Sequence, residues 1–386
     1  MAVERFVPPY SEAAVADLRD RLARTRWPDE IPGSGWELGF DLAELREICR
    51  YWREEFDWRA QVERFSAFEH YRFTPRGAAG PGIHFIHARG QGPAPIPLVL
   101  THGWPGSFVE MLEIIPLLAD PARHGRDPAV SFDVVVPSLP GFAYSDRPAE
   151  RGMSLHRIAA LWVELMGELG YRRFGAQGGD FGASVTALLG LRHPDHLAGI
   201  HLNYIPSTYR PHLAPGAELL PAERAFLAGV DRWYEEHGAY AHLQRTTPQT
   251  AAYGLNDSPA GLAAWILEKF RDWADCGGRL EASFTRDQLL ANVTLYWMTE
   301  TIHSSMRLYH ETRQAPVHFG PGEFVRVPCG IAHCPLEAPF PPREWIERGF
   351  HIAHWTDLPR GGHFAAAELP ELLADDLREF FGGLGG

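Results

Sequence analysis

The chain has 386 residues, 45% of them hydrophobic, and a formal net charge of −13. That apolar fraction supports a sizeable buried core and excludes wholesale disorder. The acidic balance argues against a protein that tracks nucleic-acid phosphates, and at roughly 150 residues per domain the length allows two or three domains, or one large domain with insertions.

Four scattered cysteines (Cys49, Cys276, Cys329, Cys334) include no C-x-x-C pair, which excludes a disulfide framework, a zinc ribbon and a thioredoxin-type site. The first ten residues lack the apolar region of a secretory signal, and no run of 18 apolar residues occurs. Neither export nor a membrane span is expected, and a cytoplasmic location fits. A single Lys (Lys269) stands against 35 Arg, a GC-rich coding bias that points to a bacterial source.

In chain order, Ser11 is placed to cap a helix carrying Val15, Leu18 and Leu22 at 3–4 spacing. Trp27-Pro28 and Pro32-Gly33 break that pattern. Asp41 can cap a second helix with Leu42, Leu45, Ile48 and Trp52 on one face, and Trp58, Val62 and Phe65 suggest another turn or two. Strand-like runs follow at 70–74 and 82–87. Nothing catalytic stands out in these ninety residues, which read as a brace.

From Pro97 short apolar runs alternate with helical text. Runs at 97–101 and 132–137 precede a helix at 155–169; a run at 173–177 precedes a helix from about 183 to 193; another run is 197–202. This alternation predicts a mostly parallel sheet flanked by helices. Residues 207–315 interrupt it with helices at 221–236, 259–273 and 286–301. Strand text returns at 324–328 and 351–356, and a last helix covers 368–381. The expected organisation is an N-terminal extension (1–92), a first core segment (93–206), a helical cap (207–316) and a second core segment (317–386).

The sharpest motif is Gly178-Gly179-Asp180-Phe181-Gly182, between a strand and a helix, the setting of a nucleophile elbow with Asp in the place usually held by Ser. The helix N-terminus behind Asp180 favours a carboxylate there. Gly361-Gly362-His363-Phe364 offers a base on a glycine-flanked loop after the last strand. The order nucleophile, acid, base then asks for a carboxylate after a late strand to hold the histidine tautomer; Glu337 and Asp357 both qualify. His102-Gly103-Trp104-Pro105-Gly106, after the first strong strand, can present the Trp104 N–H as an oxyanion donor, with the Phe181 N–H as the second.

Together these motifs resemble the epoxide hydrolases of the α/β-hydrolase superfamily, in the microsomal-type branch with an N-terminal extension. The likeness spans essentially the whole chain. It is carried by H-G-W-P-G-S, A-Q-G-G-D-F-G-A, Gly238-Ala-Tyr-Ala-His-Leu-Gln244, L-N-D-S-P-A-G-L-A-A-W-I-L-E-K-F (255–270), L-Y-W-M-T-E-T-I (295–302) and P-R-G-G-H-F-A-A-A-E (359–368). The resemblance implies an α/β-hydrolase fold with an inserted helical cap. It places the two epoxide-binding tyrosines at Tyr240 and Tyr309 and the acid at Glu337. It implies an epoxide and water as reactants, a diol as product and no metal or cofactor. It also allows a homodimer.

Two departures stand out: Phe181 replaces the Trp common after the nucleophile, and the sequence begins without the N-terminal anchor of membrane-bound members, so a soluble protein is expected. On the implied route Asp180 attacks an epoxide carbon to form an ester while Tyr240 and Tyr309 assist the leaving oxygen. Water activated by His363 and Glu337 then cleaves the ester. Rival readings are a haloalkane or haloacid dehalogenase using the same Asp, an acyl esterase (disfavoured by the absent elbow Ser) and a non-catalytic binding protein. A bulky aryl or natural-product epoxide, met in detoxification or biosynthesis, is the expected substrate. Trp265, Trp273, Trp297 and His303 would either line the pocket or pack the cap.

Overall fold

The computed structural model describes residues 2–76, 80–206, 208–214, 216–337 and 339–384; the expected cap boundary at 207 lies outside the described residues. The strands are β1 (Val3–Phe6), β2 (His70–Phe73), β3 (Ile83–Ala88), β4 (Ile96–Thr101), β5 (Phe132–Pro137), β6 (Phe174–Gly178), β7 (Leu197–Leu202), β8 (Val325–His333) and β9 (Phe350–Asp357). They form one sheet in the order β1-β2-β3-β5-β4-β6-β7-β8-β9. The β1–β2, β2–β3 and β3–β5 pairs are antiparallel, and every pair from β5 to β9 is parallel.

The central strands are apolar on both faces because helices cover both sides. Leu98, Val99 and Leu100 of β4 and Val134, Val135 and Val136 of β5 are wholly buried. Helices Leu155–Glu168 and Asp180–Arg192 pack as one pair, and Ile114–Ala119 and Pro370–Gly383 as another. The cap enters between β7 and β8 as helices Pro221–His237, Ala239–Thr246, Pro248–Leu255, Pro259–Trp273, Arg286–Thr299 and Ile302–Gln314.

Several elements differ from expectation. Beside the expected β2 and β3, the extension supplies β1, a four-residue strand too short and polar to announce itself, so its extended part continues the core sheet. The helix expected at 286–301 is present as Arg286–Thr299, and a further, unexpected helix, Ile302–Gln314, follows it. Glu300 adopts a left-handed conformation (φ 53°) and ends the first, and the chain turns into the second, which carries Tyr309. Pro248, at the first position of its helix, splits the 239–255 segment into two further helices. The helix expected from 183 begins at Asp180 itself.

In the extension, Ser11 and Asp41 accept the N–H groups of Ala14 and Glu44 and so start helices Glu12–Ala23 and Leu42–Glu54. The second helix buries Trp52, whose indole N–H donates to Thr294 Oγ1 at 2.8 Å on cap helix Arg286–Thr299. Tyr51 donates to Asp287 on the same helix (2.8 Å). That cap helix grips the turn after β4: Asn292 Nδ2 donates to Pro105 O (2.8 Å), Tyr296 OH to Gly106 O (2.7 Å), and Ser107 Oγ to Asn292 Oδ1 (2.7 Å).

Trp52→Ala is expected to cost about 3–5 kcal/mol in urea unfolding, the range for emptying a large aromatic site in a core. Arg21→Ala, which breaks the exposed pair with Asp257, is expected to cost under about 1 kcal/mol. Equal effects of the two would contradict this packing.

Candidate active site

β6 delivers the chain to Gly178-Gly179, and Asp180 follows with φ 50°, a left-handed conformation that costs a non-glycine residue about 1–3 kcal/mol and marks a functional position. The turn is possible because its neighbours are bare. A Cβ on Gly182 would lie 1.9 Å from Thr101 O, and one on Gly103 would lie 2.2 Å from Asp180 Cβ. The elbow and the 102–106 turn are therefore in backbone contact. The Trp104 N–H donates to Asp180 Oδ1 at 2.8 Å. The Phe181 N–H lies in the first turn of helix Asp180–Arg192, where no intrahelical acceptor exists.

His363 Nε2 lies 3.5 Å from Asp180 Oδ2. On its other side His363 Nδ1 meets Glu337 Oε2 at 2.9 Å and Oε1 at 3.1 Å. Asp357 is not in this array. Its carboxylate is largely exposed and accepts from His333 Nδ1 (2.9 Å) and Trp355 Nε1 (3.1 Å). Burial disfavours the charged form of His363, but the Glu337 and Asp180 carboxylates on either side outweigh it and raise its pKa well above the ordinary histidine value.

Tyr240 and Tyr309 come from helices Ala239–Thr246 and Ile302–Gln314, which pack together over the elbow. Their rings meet edge to face at 5.9 Å. The Trp104 ring stacks on Tyr240 (5.4 Å, 8°) and stands edge-on to Tyr309 (5.7 Å); Phe181 packs against Tyr309 at 4.7 Å. Trp104 thus serves twice, through its N–H to Asp180 and through its ring to both tyrosines. Burial above all, with the Asp180 charge adding, holds both phenols well above their usual pKa, so they stay protonated.

Between core and cap lies a cavity of about 310 Å³ that reaches Asp180, Phe181, Tyr204, Tyr240 and Tyr309 at one end and Phe319 among its other apolar lining. Trp265, Trp273, Trp297 and His303 are not among its lining residues. Trp265 donates to Gln244 (3.1 Å), and the Arg21 guanidinium covers the Trp297 ring at 5.6 Å, so these two pack the cap. Trp273 stands edge-on to the His363 ring at 5.2 Å, and its carbonyl accepts the His363 N–H (2.8 Å).

Sequence reasoning missed Glu368, the last letter of the 359–368 motif. Its carboxylate accepts from Gly362 N (3.1 Å), Phe364 N (2.9 Å) and Asp275 N (2.7 Å), tying the histidine loop to itself and to the cap. It also missed Tyr204, which meets the His363 ring at 5.4 Å and lines the cavity. Among the described residues no three His, Cys, Asp or Glu side chains converge to hold a metal ion. No helix among them is long and apolar enough to cross a membrane.

Comparison with known proteins gives the same assignment. Residues 3–111 match the epoxide hydrolase N-terminus family, and residues 96–268 match the alpha/beta hydrolase fold family. A protein of Stigmatella aurantiaca is 43% identical over 371 residues, 96% of this chain and 82% of that one. Epoxide hydrolase 1 of Oryctolagus cuniculus is 36% identical over 408 residues, 99% of this chain and 89% of that one. The structure of Aspergillus niger epoxide hydrolase superposes with a TM-score of 0.86 at 30% identity, covering 100% of this chain and 97% of that one. An Asp elbow under two buried phenols, an N-terminal region of this type and identity along the full chain place this protein among the microsomal-type epoxide hydrolases of the α/β-hydrolase fold.

Proposed function

We propose that the chain converts an aryl or similarly compact natural-product epoxide to a vicinal diol through an ester on Asp180. The observation that carries this reading is the polarity of the site. A carboxylate held by Trp104 N–H and facing His363 shares one apolar cavity with two protonated phenols. An epoxide needs both at once, a nucleophile at carbon and an acid at oxygen. A volume of about 310 Å³ sits at the lower end of the range of about 300–1,000 Å³ for small-molecule pockets, which supports a compact substrate in place of the bulky one expected from the sequence.

In the first step Asp180 Oδ2 attacks an epoxide carbon, since Oδ1 is engaged by the Trp104 N–H. The C–O bond breaks, and the Tyr240–Tyr309 pair delivers a proton to the departing oxygen. Such acid assistance is worth about 10²–10⁴-fold. The ester removes the negative charge of Asp180, one of the two influences that keep His363 protonated. With that charge gone the imidazolium gives up its proton to solvent, and the neutral imidazole is free to act as a base once the ester exists. It takes a proton from water, the hydroxide oxygen bonds to the Asp180 carbonyl carbon, and the resulting oxyanion meets the Trp104 and Phe181 N–H groups. Collapse breaks the ester C–O bond and frees the diol. The proton released by hydrolysis replaces the one given by the tyrosines. Glu337 keeps Nδ1–H pointed away, so that Nε2 faces the reaction.

His363→Gln is expected to trap the ester: intact mass after incubation with aryl epoxides should rise by one whole epoxide, on the Asp180 peptide. No adduct with any epoxide turned over by the native enzyme would refute the ester. Tyr240→Phe and Tyr309→Phe should each slow ester formation at least tenfold, and the double variant should slow it about 10²–10⁴-fold, measured by rapid quench. In single turnovers, ester decay should rise with pH as His363 loses its proton. Glu337→Gln removes a charge that favours imidazolium, so the rise should move to lower pH while the plateau falls about 10²–10⁴-fold. A shift to higher pH would contradict the role given to Glu337.

A further inference from the structure

Besides the substrate cavity, a small chamber of about 20 Å³ touches Asp180. Among the described residues Asp180 alone lines both, whereas His363 and Glu110 line only the small one. The chamber holds about one water, for which about 10–15 Å³ and two to four polar partners suffice. Its polar wall is Glu110, His363, Gln177, Asn203 and His102. His102 is already occupied at both ring nitrogens, by Gly103 O (3.0 Å) and the Leu139 N–H (3.2 Å).

We propose that Glu110 holds the hydrolytic water in this chamber, against His363 and the Asp180 carbonyl carbon. This inference rests on the ester pathway above and names the residue that pathway lacks. Once the ester forms, substrate fills the large cavity, so water needs a place of its own. Glu110 is reached from a second side as well. It lines another cavity of about 30 Å³ that extends to Arg64 and Glu113, whose side chains are partly exposed. On this proposal water enters past Glu110 while the ester occupies the substrate side.

The last glycine of the His102–Gly106 motif also finds its reason here. A Cβ on Gly106 would lie 1.1 Å from Glu110 Oε1, so the bare glycine is what lets the carboxyl lie there. Burial first, and then the Asp180 charge, pushes the Glu110 pKa up to about 8, with His363 opposing. The carboxyl is neutral near pH 7 and adds no charge to repel the incoming hydroxide. In the hydrolytic step one water proton goes to His363 Nε2, the other stays on the attacking oxygen and points to a Glu110 carboxyl oxygen, and the new C–O bond forms at Asp180.

The test is single-turnover rapid quench with styrene oxide, following ester formation and decay by intact mass in the native enzyme, Glu110→Leu, Glu110→Gln and Gly106→Ala. The expected result is ester formation within about twofold of native in both Glu110 variants, with decay slowed at least about tenfold in Glu110→Leu and Gly106→Ala. Decay in Glu110→Gln should lie within about threefold of native, because the amide carbonyl still accepts. Native decay in Glu110→Leu, or equal slowing of both steps, would overturn the proposal. Absence of ester in every enzyme, His363→Gln included, would instead overturn the ester pathway and this proposal with it.

Discussion

The hydrogen bond from the Trp104 N–H to Asp180 Oδ1 is the contact on which the rest of the site depends. On the proposed route it aligns Asp180 as nucleophile, leaves the second oxygen free to attack, and marks where charge would gather during ester hydrolysis. It exists only because two backbone segments touch: the left-handed elbow at Asp180 and the turn after β4, with glycine at the closest approaches. A donor of this kind is worth about 2.7–4 kcal/mol in comparable acyl chemistry, more than the strain of the elbow.

The same residue ties the core to the cap. The Trp104 ring supports both tyrosines, while the neighbouring carbonyls of Pro105 and Gly106 are held by Asn292 and Tyr296 of the cap. That cap helix is in turn anchored to the extension through Trp52 and Thr294. A chain of packed side chains and hydrogen bonds thus runs from the N-terminal helices to the nucleophile. The histidine loop is set from the other side, by Glu337 and Glu368 and by the cap carbonyl of Trp273.

The parts of this architecture legible in the sequence were those with local signatures. The elbow announced itself because a tight strand-to-helix turn needs glycines around one reactive side chain. Caps at Ser11 and Asp41 were legible because an unpaired N–H asks for an acceptor within three residues. The choice between Glu337 and Asp357 was not local: both follow late strands, and only the three-dimensional loop positions separate a buried partner of His363 from an exposed partner of His333. Tyr240 and Tyr309 were named through resemblance, since nothing in a helical cap distinguishes them from packing tyrosines. Glu110 and Glu368 were invisible for the same reason. Their importance comes from burial beside distant residues, and a glutamate in a helical stretch reads as solvent-facing.

On the proposed route water attacks the enzyme and not the epoxide. A single turnover in ¹⁸O-labelled water, with enzyme in excess over epoxide, separates the two. The first diol should carry no ¹⁸O, its new oxygen coming from Asp180, and the label should appear in the peptide containing Asp180. Label in the first diol, with none in that peptide, would show direct attack of water on the epoxide and rule out the ester.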